Sequence, residues 1–181
     1  MTWILTNSGT RFDFENPTEE MINIEDIAAA LSKQTRFNGH CSQFYSVARH
    51  SIIMASKISP EFKLEALMHD ATEAYIGDMV KPLKNLIPEF EKIENKIHKV
   101  IAKKFKLKTK TPKEIKDLDL VMVASEIKAI MPKFDGELEG TEGARPIVLE
   151  RHEIFSEPNR DELDFLFLFK ELYKSDNIQD S

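Results

Sequence analysis

The chain has 181 residues, 41% of them apolar and 31% charged, the balance of a globular protein with a core of ordinary size. A formal net charge of −6 argues against a non-specific nucleic-acid binder. The single cysteine, Cys41, excludes an intramolecular disulfide and a cysteine-rich zinc site, and no apolar run approaches the length of a membrane span.

Residues 1–14 read as a small hairpin, with Trp3-Ile4-Leu5 and Arg11-Phe12-Asp13-Phe14 flanking the turn residues Asn7-Ser8-Gly9. From Asn23 the pattern turns helical. Asn23 can cap, Glu25 and Asp26 suit a first turn, and Ile24, Ile27, Ala28 and Leu31 form a stripe. After a turn at Gly39, a second helix is expected from about Ser42 to Lys57, with Phe44, Val47, Ala48, Ser51, Ile52 and Ala55 on its buried face. Ser59-Pro60 stops it and starts a third, which carries Leu64, Leu67, Met68 and the pair His69-Asp70 and ends at Gly77. Residues 78–84 form a loop or short helix. Amphipathic helices follow at about 88–105 and 112–131, joined by a basic linker. Residues 133–150, with three glycines and several acids, suggest a mobile loop within a loop-rich stretch to about 155. A final helix over about 160–174 is expected to pack through Leu163, Leu166, Phe167 and Phe169. The expected fold is all-α, one helical bundle over residues 1–181 with a small N-terminal β-hairpin.

The chemistry concentrates in the run from Leu67 to Asp78. On a helix turning about 100° per residue, His69 and Glu73 share a face with Asp70 beside them. Charged groups on an apolar helix need a partner, and a divalent cation is the simplest one. Three predicted helices supply four candidate ligands: His50, His69, Asp70 and Asp119. Asp117 lies about 200° around its helix from Asp119, so only one of them can face the site. Mixed imidazole and carboxylate donors suit one divalent transition metal (Mn²⁺, Co²⁺, Ni²⁺, Fe²⁺ or Zn²⁺) or Mg²⁺ with more water. Glu73 and Asp78 would adjoin the metal as acid–base groups, and Arg36, Lys81 and Lys84 supply positive charge for phosphate. His40, after Gly39, is a further candidate for phosphate or base. Tyr75 is core or pocket wall, and His98 and His152 read as surface residues.

The order His50, His69-Asp70, Asp119 resembles the H…HD…D pattern of the HD-domain phosphohydrolases. The run Tyr45 to Ser51, and the segment His69 to Lys84 with Glu73, Asp78, Pro82 and Lys84, are similar to the branch holding bacterial 5′-deoxynucleotidases and phage dATP triphosphohydrolases. Arg36-Phe37-Asn38-Gly39-His40 resembles the turn with which that branch selects deoxyribonucleotides. The resemblance spans about residues 22–132. It implies His50, His69, Asp70 and Asp119 as metal ligands and Glu73, assisted by Asp78, acting on water or leaving group. It also implies substrate contacts from Arg36, Phe37 and Lys84. Phe37 stands where those 5′-deoxynucleotidases carry Trp, so base preference and strictness for deoxyribose are open. The implied function is metal-dependent hydrolysis at the phosphate of a dNMP or the α-phosphate of a dNTP. The alternatives are a non-catalytic HD module binding nucleotide or metal, and a cyclic-nucleotide phosphodiesterase. The expected partner is a small-molecule nucleotide, with no nucleic acid and no membrane. A homo-oligomer and a cytoplasmic location complete the expectation.

Overall fold

The computed structural model describes residues 1–131, 141 and 143–179, with the backbone alone described at 176–179. It is mostly helical. Strands β1 (Trp3–Leu5) and β2 (Arg11–Asp13) pair antiparallel, Ile4 opposite Phe12, as the expected hairpin. The helices are α1 (Ile24–Leu31), α2 (Val47–Lys57), α3 (Lys63–Met68), α4 (Glu73–Ile76), α5 (Lys81–Lys84), α6 (Pro88–Phe105), α7 (Lys113–Ile130) and α8 (Pro158–Gln179). Among the described residues no helix is long and apolar enough to cross a membrane.

A short hairpin is marginal alone, and here two anchors hold it. Buried Asp26 of α1 accepts from the Ser8 backbone N–H at 2.6 Å and from Ser8 Oγ at 2.7 Å. Phe12 stacks on Tyr75 of α4 with ring centroids 4.0 Å apart. Tyr75 is therefore a core residue, and the hairpin buttresses the helix that begins at Glu73.

Helix α2 starts at Val47, five residues later than the periodicity of Phe44 suggests. Local polar bonding decides this. Ser46 sits in extended backbone, bridges Thr35, and its Oγ accepts from the Arg49 N–H, so it is the N-cap. Two apolar clusters meet on α2. Val47, Ala48 and Ala55 face Ile27, Leu31, Leu67, Ile101 and Phe165, whereas Ile53 and Met54 face Tyr45, Ile115, Met122 and Leu149. His50 precedes Ile53 and Met54 by three and four residues, on their side of the helix.

The single helix expected over the His-Asp segment is two pieces. Between α3 and α4 the chain turns at His69–Thr72 through three-residue hydrogen bonds, Ala71 to Met68, Glu73 to Asp70 and Tyr75 to Thr72. Such tightened turns bring residues three apart onto one line, here Asp70 and Glu73. Gly77 ends the segment with φ +82°, a conformation that disfavours any side chain.

Helix α8 corrects an expectation about packing. Leu163 and Phe167 are each 68% exposed, while Asp161, Phe165 and Phe169 form the buried stripe. The two sets lie two positions apart, which is about 200° on a helix. Asp161 closes a polar knot against α2. One oxygen takes Arg49 Nε at 2.9 Å and Nη2 at 2.6 Å, and the other takes Ser46 Oγ at 2.6 Å and Ser156 Oγ at 2.5 Å. Arg49 also donates to Asp164 at 2.8 Å. Removing one partner of a buried pair leaves the other uncompensated, so Asp161→Ala should cost about 3–5 kcal/mol. Urea unfolding measures this, and a midpoint equal to that of the unaltered chain would contradict it.

Of the stretch expected as a mobile loop, residues 133–140 and 142 lie outside the described residues. The remainder runs without regular structure to α8 and is anchored on the second cluster. Leu149 and Ile154 are buried there, the Ile147 N–H donates to Ser125 Oγ, and Gln43 donates to the Ile154 carbonyl.

Candidate metal centre

Side chains from α2, the α3–α4 turn and α7 converge on one point. His50 Nε2 and His69 Nε2 are 3.3 Å apart, and an Asp119 oxygen lies 3.3 Å from His50 Nε2. Each residue offers one donor atom, all mutually within 4.8 Å. Asp70 adjoins them, its Oδ2 3.2 Å from His69 Nε2 and 3.8 Å from His50 Nε2. Ligand atoms about 2.1 Å from one cation stand roughly 3.0 to 3.4 Å from each other in octahedral or tetrahedral arrangements. The spacing and the donor set fit one divalent cation.

Both imidazoles are oriented from behind. His69 Nδ1 meets the Ala66 carbonyl at 2.7 Å, so it carries a proton and leaves Nε2 as the free donor atom. His50 Nδ1 meets Glu126 Oε1 at 2.6 Å. Glu126 is fully buried on α7 and was not among the sequence candidates. The signal was present: Glu126 follows Asp119 by seven residues, two helical turns, with buried Met122 between them on the same stripe.

The second group of candidates is distributed less evenly. Glu73 is buried, with Oε1 3.7 Å from Lys84 Nζ and Oε2 enclosed without a hydrogen-bond partner. Burial, reinforced by the negative charges of Asp70 and Asp78, holds its pKa well above the usual carboxylate range. Its surroundings therefore favour the protonated form of Glu73, which suits a proton-handling group. Asp78 is half-buried and its pKa is also pushed up, by burial first and then by Asp70 against the opposing Arg36. Asp70 goes the other way. Despite burial, His69, His50 and Arg36 hold it low and ionised.

Arg36, expected at the substrate, is buried and engaged by protein. Its Nε donates to Glu126 Oε2 at 3.1 Å, and Nη1 is 3.6 Å from Asp70 Oδ2. Phe37 and Asn38 follow it at φ +55° and +51°, left-handed backbone that disfavours a ring-bearing side chain. Phe37 is half-buried, its ring 5.4 Å from the Arg36 guanidinium and packed on the second cluster. His40 and Lys81 are exposed. Lys84 is half-buried and donates to Glu94 at 2.9 Å. Asp117 pairs with Lys113 on the surface, away from the Asp119 stripe. His98 is not the surface residue expected. It is half-buried, its Nε2 enclosed without a partner, beside a small cavity that it shares with His69, Met68 and Ile115. A turn of α6 brings it inward with Ile97 and Ile101, a register its polarity does not disclose.

These environments set a pH dependence for the metal-free chain. Burial and Arg36 push the His50 pKa down, yet Glu126 and Asp119 outweigh them and raise it to about 9. A folded-state pKa above the unfolded value stabilises fully below the unfolded value, about 6.5, and that stability is lost as pH rises through the folded one. Glu73, also raised, acts with the same sign. The melting temperature of chelator-treated protein should therefore fall between pH 6.5 and 9. A flat profile across that window would contradict the assignment.

No family model matches the chain. It is 44% identical over 126 residues to the uncharacterized protein YfdR of Escherichia coli (strain K12), covering 70% of this chain and 71% of that protein. It is 31% identical over 163 residues to an uncharacterized protein of Rhodobacter capsulatus, covering 82% and 83%.

Proposed function

We propose, for a chain that belongs to one family with the YfdR protein of Escherichia coli, that this centre is an HD-type phosphohydrolase site acting on deoxyribonucleotides. The observation that carries the reading is the convergence of His50, His69 and Asp119 on one point, with Asp70 adjoining and a buried Glu73 nearby whose pKa is raised. A divalent cation held there supplies positive charge to a phosphoryl oxygen and makes a water more acidic.

The chain's own residues divide the remaining work. Ionised Asp70 and Asp119 balance the cation's charge. Glu73 holds a proton in a dry position and gives it to the leaving ribose oxygen. Asp78, half-buried, orients the attacking water. Lys84, within reach of Glu73, moves from Glu94 to the phosphate when substrate enters. Lys81 and His40, both exposed, stand free for the β- and γ-phosphates of a longer substrate. A purely nucleotide-binding module would have no use for an enclosed acid with one oxygen lacking a hydrogen-bond partner, which favours the enzyme over that alternative.

Product analysis tests the reading. Purified protein with Mn²⁺ or Co²⁺ is offered a panel of dNMPs, dNTPs and their ribose counterparts. Orthophosphate from dNMPs identifies a 5′-deoxynucleotidase, and tripolyphosphate from a dNTP identifies a triphosphohydrolase. Absence of turnover on the whole panel with nucleotide still bound would replace the enzyme with the binding module.

A further inference from the structure

We infer that Glu126 is the positioning residue of this centre: one buried carboxylate that orients His50 directly and Asp70 through Arg36. The inference rests on the metal reading of the site and is independent of the substrate.

Glu126 spends both oxygens on the centre. Oε1 takes His50 Nδ1 at 2.6 Å and the Tyr45 hydroxyl at 2.9 Å, and Oε2 takes Arg36 Nε at 3.1 Å. An ionised carboxylate can only accept, so His50 Nδ1 must carry a proton. With Nδ1 keeping its proton, the proton that a cation would displace is the one on Nε2, and the lone pair so freed belongs to the atom facing His69 Nε2 and Asp119. The other tautomer would place a hydrogen where the cation belongs. His69 receives the same instruction from the Ala66 carbonyl, so two separate acceptors enforce one tautomer on both rings.

The Arg36 arm extends this to a second element. Its Nε is held by Glu126 on α7 while its Nη1 stands 3.6 Å from Asp70 in the α3–α4 turn. Glu126 thereby links α2, α7 and the turn through one carboxylate that is 0% exposed. Charge is apportioned as well. Asp70 and Asp119 match a divalent cation, and Glu126 matches Arg36. Without the Glu126 charge, the Arg36 cation would stand beside Asp70 uncompensated and compete with the metal for it, in surroundings where screening by water is weak.

Glu126→Gln keeps the shape and removes the charge. It is expected to lower Co²⁺ affinity about 10- to 100-fold, read by competition with a chromophoric chelator. Tyr45→Phe removes only the other hydrogen bond to Oε1 and should change affinity less than about threefold, although it touches the same buried cluster. Long-range ¹H–¹⁵N spectra of the Zn²⁺-loaded chain should show the His50 Nδ1–H, with its signal displaced or lost in Glu126→Gln. A merely structural Glu126 would lower the melting temperature and leave affinity and tautomer alone. If Glu126→Gln melts below the assay temperature, Glu126→Asp takes its place. It retains the charge but withdraws the oxygens from His50, and an intermediate loss of affinity is expected. Metal bound by the folded variant within threefold of the unaltered chain overturns the inference while the metal reading stands. An unaltered chain that binds no divalent cation overturns both.

Discussion

His69→Ala is expected to abolish turnover and weaken metal binding by about 10³-fold or more. Loss of a supporting residue behind a ligand already costs 10- to 100-fold, and His69 is proposed as a ligand itself. No neighbour can take over. The His50 Nε2 position is fixed by Glu126, Asp119 reaches it from α7, and Asp70 is partly claimed by Arg36. The fold should survive, because His69 lies in a turn and its ring bonds locally, to the Ala66 carbonyl three residues before it. Metal titration by calorimetry, with circular dichroism as the control for folding, measures the effect. Affinity within tenfold of the unaltered chain would remove His69 from the ligand set.

Glu73→Gln separates catalysis from binding. Burial and its acidic neighbours raise the Glu73 pKa and so favour its protonated form. Glutamine matches the protonated form in shape and charge, so metal affinity and melting temperature should hardly change. Glutamine has no proton to give, however, and kcat should fall about 10²- to 10⁴-fold. Single-turnover kinetics at saturating metal provide the measurement. A kcat within threefold would assign the proton to another group, and Asp78 would be next, since its pKa is raised too. A fall in kcat together with lost metal affinity would instead make Glu73 a ligand.

Both predictions depend on scaffolding remote in sequence. Phe12 stacks on Tyr75, two residues after Glu73, and Gln34 Nε2 donates to the Glu73 carbonyl at 2.9 Å. Asp161 on α8 fixes Arg49, the residue before His50. The C-terminal helix, which carried no recognisable motif, thus holds the element that presents an imidazole to the centre.

Local chemistry, read from the sequence alone, determined most of the elements and the list of ligand-type residues, but not the start of α2 or the break between α3 and α4. The Asn23 cap, Pro88 at a first helical turn, Pro112 ahead of α7 and Gly77 after α4 act within a few residues, so their effect is legible in one dimension. The pattern from His50 to Asp119 was legible for the same reason, since residue type and spacing suffice to propose it. Only the tertiary structure decided which polar groups are satisfied by protein and which face the site. Arg36 read as a phosphate contact and proves to be bound to Glu126, 90 residues away. Glu126 was not among the sequence candidates, and packing buries it behind His50. Pairing across such separations depends on how helices cross. A buried charge must then find its partner wherever the crossing places one, which residue spacing does not encode.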